Sequence, residues 1–213
     1  SVTAEEAPRL RPYMKLAEKM GALAGQLAGT GFETLELVYS GTVAEKDIKP
    51  VTISAIIGLL GSLMGDGSVN FVNAQRTLKE MGIKLLESKT ESANGYSNAI
   101  TLKLTKNGAT TVVKGTVSGN KEKRIVQLNE YHTYIPTEGD MVLAIIEDRP
   151  NIIGPCCVVL GEGKINIGGM HVGRIAEGKP QLMVLSVDHM ASDEIMKELC
   201  SVPGVTSAKM VEL

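Results

Sequence analysis

Tryptophan is missing from this 213-residue chain, and five Tyr and two Phe are its only aromatic residues. So few rings leave little on which bases could stack. The 22 basic residues against 24 acidic ones give no surplus of positive charge for a phosphate backbone. The densest basic stretch is Lys121-Glu122-Lys123-Arg124, so no nucleic-acid partner is expected. No apolar run approaches the roughly 20 residues that cross a bilayer. The opening Ser1-Val2-Thr3-Ala4-Glu5-Glu6 has neither the basic start nor the apolar middle of a secretion signal. The expectation is a cytoplasmic chain with no membrane partner.

Cysteine is also scarce. Three residues are an odd number, Cys156 and Cys157 are neighbours, and no Cys-x-x-Cys is present. A disulfide framework is therefore not expected, and the thiols read as small core residues. His132, His171 and His189 are far apart, with no ligand-pair spacing, so no metal is expected. The Gly-x-Gly pairs Gly29/Gly31, Gly65/Gly67 and Gly161/Gly163 all lack the third glycine of a dinucleotide fingerprint. No cofactor is expected in this chain.

Hydrophobic residues make up 43% of the chain, enough for one or two buried cores. Met14, Leu16, Ala17, Met20, Leu23, Ala24 and Leu27 repeat at helical spacing, which predicts a helix over 12–28 with Pro12 at its start. A strand follows at 34–40, then a loop over 41–50. An all-round apolar helix over 51–64 contains Gly58 and Gly61, small residues that permit close approach to a neighbour. After the turn Gly65-Asp66-Gly67 come a helix over 74–81 and a strand over 83–88, then a polar loop over 89–96. Alternating residues 98–104 and 109–117 flank Asn107-Gly108, a strong hairpin signal, and a further strand follows at 124–128.

Residues 135–139 are short, polar and turn-forming, and the patterning restarts behind them. Strand 141–147, helix 151–161, strands 165–174 and 181–187, helix 192–200 and strand 205–212 then give the order βαββαβ. The expectation is an α+β chain of two domains. The first, over 1–136, sets helices beside a mostly antiparallel sheet, and the second, over 140–213, is a ferredoxin-like βαββαβ module.

Within the second domain, Ile146-Glu147-Asp148-Arg149-Pro150-Asn151-Ile152-Ile153-Gly154 reads as a strand end, an acidic turn and a proline that opens a helix. Asp148 can accept hydrogen bonds from an ammonium, and Asn166 can both donate and accept. Free N–H groups of the first helical turn at Ile152, Ile153 and Gly154 suit a carboxylate. Together these groups match the two ends of a free amino acid. The plainer reading of Asp148 is a carboxylate that satisfies the N–H groups of the helix behind Pro150, and that of Asn166 is a turn former.

Several marks in order along almost the whole chain carry a resemblance. They are Leu16-Ala17-Glu18-Lys19-Met20-Gly21, Tyr39-Ser40-Gly41, Val69-Asn70-Phe71-Val72-Asn73-Ala74, Glu87-Ser88-Lys89 and Tyr96-Ser97-Asn98, then Glu147-Asp148-Arg149-Pro150, Ile165-Asn166-Ile167 and Val202-Pro203-Gly204-Val205. The set resembles the C-terminal regulatory part of long-form D-3-phosphoglycerate dehydrogenases, an intervening domain followed by an ACT domain. The resemblance implies effector sensing in L-serine biosynthesis, with L-serine bound at Asp148 and Asn166, and homo-oligomers formed through ACT sheet edges. It implies NAD in the parent enzyme, on catalytic domains absent from this chain, so the chain alone is expected to be inactive. It also implies an anion site at Arg124 and Lys123, for which a solvated turn is the plainer reading. Where several members of the family place a polar side chain that helps hold serine, this sequence has Ile146. Two alternatives stand beside the regulatory reading: a β-type subunit of iron–sulfur L-serine dehydratase, and a scaffold that no longer binds an effector.

Overall fold

The computed structural model describes residues 7–65, 67–93 and 95–213. The N-terminal hexapeptide and Asp66, the middle of the turn read at 65–67, lie outside the described residues. The chain divides into two compact units, residues 1–129 and 130–213.

The first unit contains α1 (Ala7–Ala28), β1 (Thr34–Gly41), α2 (Lys49–Met64), α3 (Ala74–Glu80), β2 (Lys84–Thr90), β3 (Asn98–Lys106), β4 (Ala109–Val117) and β5 (Lys123–Leu128). Its strands lie side by side in the order β2-β1-β3-β4-β5. Strands β1 and β2 are parallel, as expected when two helices cross between them, and the other pairs are antiparallel. Leu16, Met20 and Leu23 of α1 and Ile56, Leu59 and Leu60 of α2 are fully buried. Each such side chain contributes about 1.5–3 kcal/mol relative to leaving it in water.

Glycines decide how closely α1 and α2 meet. A Cβ on Gly58 would overlap the Glu18 carbonyl, and one on Gly21 would lie 2.8 Å from the Leu59 nitrogen. The sheet is approached in the same way, because a Cβ on Gly115 would come within 2.8 Å of the Met20 sulfur. Helix α1 starts earlier than its sequence suggests, with Pro12 inside it. The missing N–H of Pro12 costs one hydrogen bond, yet Leu10 and Tyr13 on either side are buried, so packing holds the first turns in place. At the other end Lys106 donates to the Thr30 carbonyl at 2.5 Å, placing a cation where the helix leaves carbonyls open. The expected hairpin is present, with Asn107 and Gly108 both at positive φ, 51° and 79°.

The second unit contains β6 (Tyr131–Ile135), β7 (Asp140–Ile146), α4 (Ile153–Glu162), β8 (Ile167–Arg174), β9 (Gln181–Val187), α5 (Asp193–Ser201) and β10 (Val205–Glu212). From β7 onward the order is βαββαβ, with an antiparallel sheet arranged β10-β7-β9-β8. Val142, Ala144 and Ile146 of β7 and Met183 and Leu185 of β9 form a core with Cys156 and Leu160 of α4 and Leu199 of α5. Ser192 caps α5 by accepting from the Ile195 N–H.

Strand β6 is not anticipated by the sequence reading, which leaves 129–134 without an element and places the domain boundary at 135–139. It packs on β8 and β9, where the bare Gly173 leaves room for the His132 carbonyl, 2.7 Å from where a Cβ would stand. Among the described residues, no helix is long and apolar enough to cross a membrane.

Candidate functional site

Asp148 lies just beyond β7, and its side chain is 7% exposed. Its carboxylate does not turn to the helix that follows, as the capping reading supposes. It accepts hydrogen bonds from the Arg174 guanidinium, from the Gly178 N–H at 2.8 Å and from the Gln181 side-chain amide. All three donors belong to the β8–β9 hairpin, and Arg174 and Gln181 face each other across its mouth. The Arg174 bond, followed by that from Gly178, holds the carboxyl below its ordinary pKa. Sequence inspection does not single out Gly178 or Gln181. The only available signal is a basic residue at the edge of a hairpin.

Pro150 does not open α4. Asn151 adopts a left-handed φ of 64° and turns the chain, and the helix starts at Ile153 with Ile152 as its N-cap and no side-chain cap. A different proline, Pro155, occupies the first turn, where its missing N–H is least costly. The N–H groups of Ile153 and Gly154 have no acceptor within the helix. Ile152 is buried, Ile153 is half-buried, and Gly154 faces open space. Ile146 is packed in the core.

Asn166 is exposed just before β8. Its main-chain N–H donates to the Asp188 carboxylate at 3.1 Å, and the Asp188 N–H donates to the Asn166 carbonyl. His189 Nδ1 is 2.7 Å from the same carboxylate. Ile167 pairs with Val187, and Arg174 pairs with Gln181. Asn166 and Asp148 therefore stand at opposite ends of β8, the eight steps from Asn166 to Arg174 spanning roughly 26 Å at ~3.3 Å per residue. One chain alone does not bring them together.

In the first unit, Arg124 pairs with Glu122 at 2.7 Å and is half-exposed, and Lys123 begins the same strand. Elsewhere the Tyr39 hydroxyl, fully buried, meets the Thr52 hydroxyl at 2.7 Å, and Thr52 in turn donates to Glu87. Burial pushes the Tyr39 phenol well above its usual pKa. A cavity of about 600 Å³ opens at the carboxyl ends of β1 and β2, lined by Thr42, Glu45, Lys89, Glu91 and Ser97. The sequence reading assigns it no role, because its wall is assembled from the loop after β1, the end of β2 and the β2–β3 loop, which meet only in the fold. Cys156 is buried, and burial raises its thiol to about 11, as suits a core residue.

Residues 9–129 match the family model for the D-3-phosphoglycerate dehydrogenase intervening domain. The whole chain is 35% identical to a D-3-phosphoglycerate dehydrogenase of Synechocystis sp. and 33% identical to one of Bacillus subtilis. It is 27% identical over its full length to the chloroplastic D-3-phosphoglycerate dehydrogenase 3 of Arabidopsis thaliana. It spans about two fifths of those relatives, 38%, 40% and 39% of their lengths. With more than half of its residues inside the family model and the remainder aligned to the same proteins, the chain belongs to the D-3-phosphoglycerate dehydrogenase family.

Proposed function

We propose that the chain is the regulatory, effector-sensing and assembly region of a D-3-phosphoglycerate dehydrogenase of L-serine biosynthesis, with NAD chemistry carried by parts of the parent enzyme outside this sequence. The second unit acts as an ACT-type module. The observation that carries the reading is the placement of Asp148 and Asn166 at opposite ends of β8, an edge strand. If two copies pair antiparallel along β8, Asn166 of one meets the Asp148 end of the other. Two equivalent sites then form at one seam, each with an acid, an amide and the open N–H groups of Ile153 and Gly154. The order β10-β7-β9-β8 leaves β8 with an unpaired side, which such pairing would cover.

The test is calorimetric titration of the chain with L-serine, repeated on Asp148→Ala and Asn166→Ala. Saturable heat is expected from the parent chain, with a loss of roughly tenfold or more in affinity for each variant. Heat that is unchanged in both variants would sink the site. A scaffold is the second reading, and two observations favour it: the Asp148 carboxylate is already served by three internal donors, and Ile146 offers no polar group. Absence of heat with any amino acid selects it. On either reading the chain alone is expected to show no NAD-linked oxidation of 3-phosphoglycerate.

A further inference from the structure

The hairpin opposite Asp148 presents what an ammonium ion would present. A protonated amine offers three N–H donors and one positive charge. Arg174, the Gly178 N–H and the Gln181 amide supply three donors and one positive charge to the same carboxylate. The pairing is lopsided in exposure, because the Arg174 side chain is 55% exposed while that of Asp148 is 7% exposed. The cation can leave for water without opening the fold. A ligand ammonium needs acceptor positions on the Asp148 carboxylate that Arg174 and its neighbours fill, and it is repelled by the guanidinium, so occupation by a ligand amine and by Arg174 disfavour one another.

We infer that Arg174 is an internal competitor for the ammonium position at Asp148, and that an amino-acid effector binds there by displacing it. The inference rests on the effector reading above and adds the residue that tunes it. Displacement has a mechanical consequence. Arg174 ends β8, Gln181 begins β9, and Gly178 lies in the turn between them at φ 75°. All three are tied to the strand β7 side of the unit through the one carboxylate, so an incoming ammonium releases the turn. Glu177, in the same turn, adds a weaker favourable charge for the guanidinium. Ligand occupancy thereby becomes a change in a hairpin that borders β8.

The test uses the full chain and L-serine as the probe. Arg174→Gln removes the competing charge and is expected to tighten L-serine binding about tenfold, within the range usual for coupled sites. Arg174→Lys keeps the charge but loses the planar fork, and its affinity is expected between the two. In the unsubstituted protein, saturating L-serine is expected to speed hydrogen exchange at the Gly178 amide, the reverse of the protection a ligand ordinarily confers. Equal or weaker binding by Arg174→Gln, or slower exchange at Gly178, overturns the competitor while leaving the effector site standing. No binding by either protein overturns the effector site itself, and the competitor with it. Should Arg174→Gln fail to fold, Arg174→Lys and the exchange rate in the unsubstituted chain still decide the matter.

Discussion

Asp148 shows how far a single residue can be read from sequence. Its chemical type, an acid at the end of a buried strand, is legible, and so is its suitability for an ammonium. Its partners are not, because Arg174, Gly178 and Gln181 lie 26, 30 and 33 residues away and meet it only once β8 and β9 have paired. One consequence concerns acid stability. A carboxyl held below its ordinary value of 3.8 in the folded state favours folding above that value, and the benefit is lost as pH falls through the depressed folded value. Asp148→Asn has no such proton to take up. Urea midpoints measured from about pH 6 down to about pH 2 are expected to fall less steeply for Asp148→Asn than for the parent below about pH 4. Parallel curves would show that the three hydrogen bonds carry no charge-dependent stability.

Among the elements, the clearest in sequence are those whose signal is local. The Asn107-Gly108 turn predicts β3 and β4 because type I′ geometry needs left-handed backbone at both positions, and both residues have it. Strand β9, helix α5 with its Ser192 cap, and β10 fall where their patterns place them. Strand β6 is hidden for a physical reason. Tyr131, Thr133 and Ile135 do alternate inward, but Thr133 puts a hydroxyl on the buried face, and that hydroxyl has no hydrogen-bond partner in the fold. A polar residue in the middle of a five-residue strand breaks the pattern that would announce it.

The glycines of the helices make a second point at this scale. Gly58→Ala is expected to destabilise the first unit by about 1–3 kcal/mol, since the new methyl meets backbone that cannot step aside. Gly161→Ala in α4 faces open space and is expected to stabilise by about 0.5–1 kcal/mol, through the lower entropy cost of fixing alanine in a helix. Chemical denaturation of both variants checks the pair. A stabilising shift for Gly58→Ala would contradict the close approach of α1 and α2.

For the whole molecule, the α+β class and the presence of two units are legible because hydrophobic period changes along the chain from helical to alternating and back. Assembly is a different matter, since an edge strand shows where a partner can sit without naming it. If the β8 edges pair as proposed, Met170, which is 54% exposed near the middle of β8, faces its own counterpart. Met170→Lys then brings like charges together, and sedimentation velocity is expected to show self-association weakened roughly tenfold or more. An unchanged distribution of species would move the seam elsewhere. In that case Asp148 and Asn166 would have no common site.

The second unit also closes on itself end to end. Gly139 and Leu213 exchange two main-chain hydrogen bonds, at 2.7 and 3.0 Å, and β7 is flanked by β9 and by β10, the last strand of the chain. During synthesis, β7 leaves the ribosome well before β10. Between Ile146 and Val205, at about 5–20 residues per second, roughly 3–12 s pass. Through that interval the apolar run Met141-Val142-Leu143-Ala144 keeps one backbone edge open on the side that β10 later covers. Newly made chains crowded together at that stage have each other as the nearest available strand.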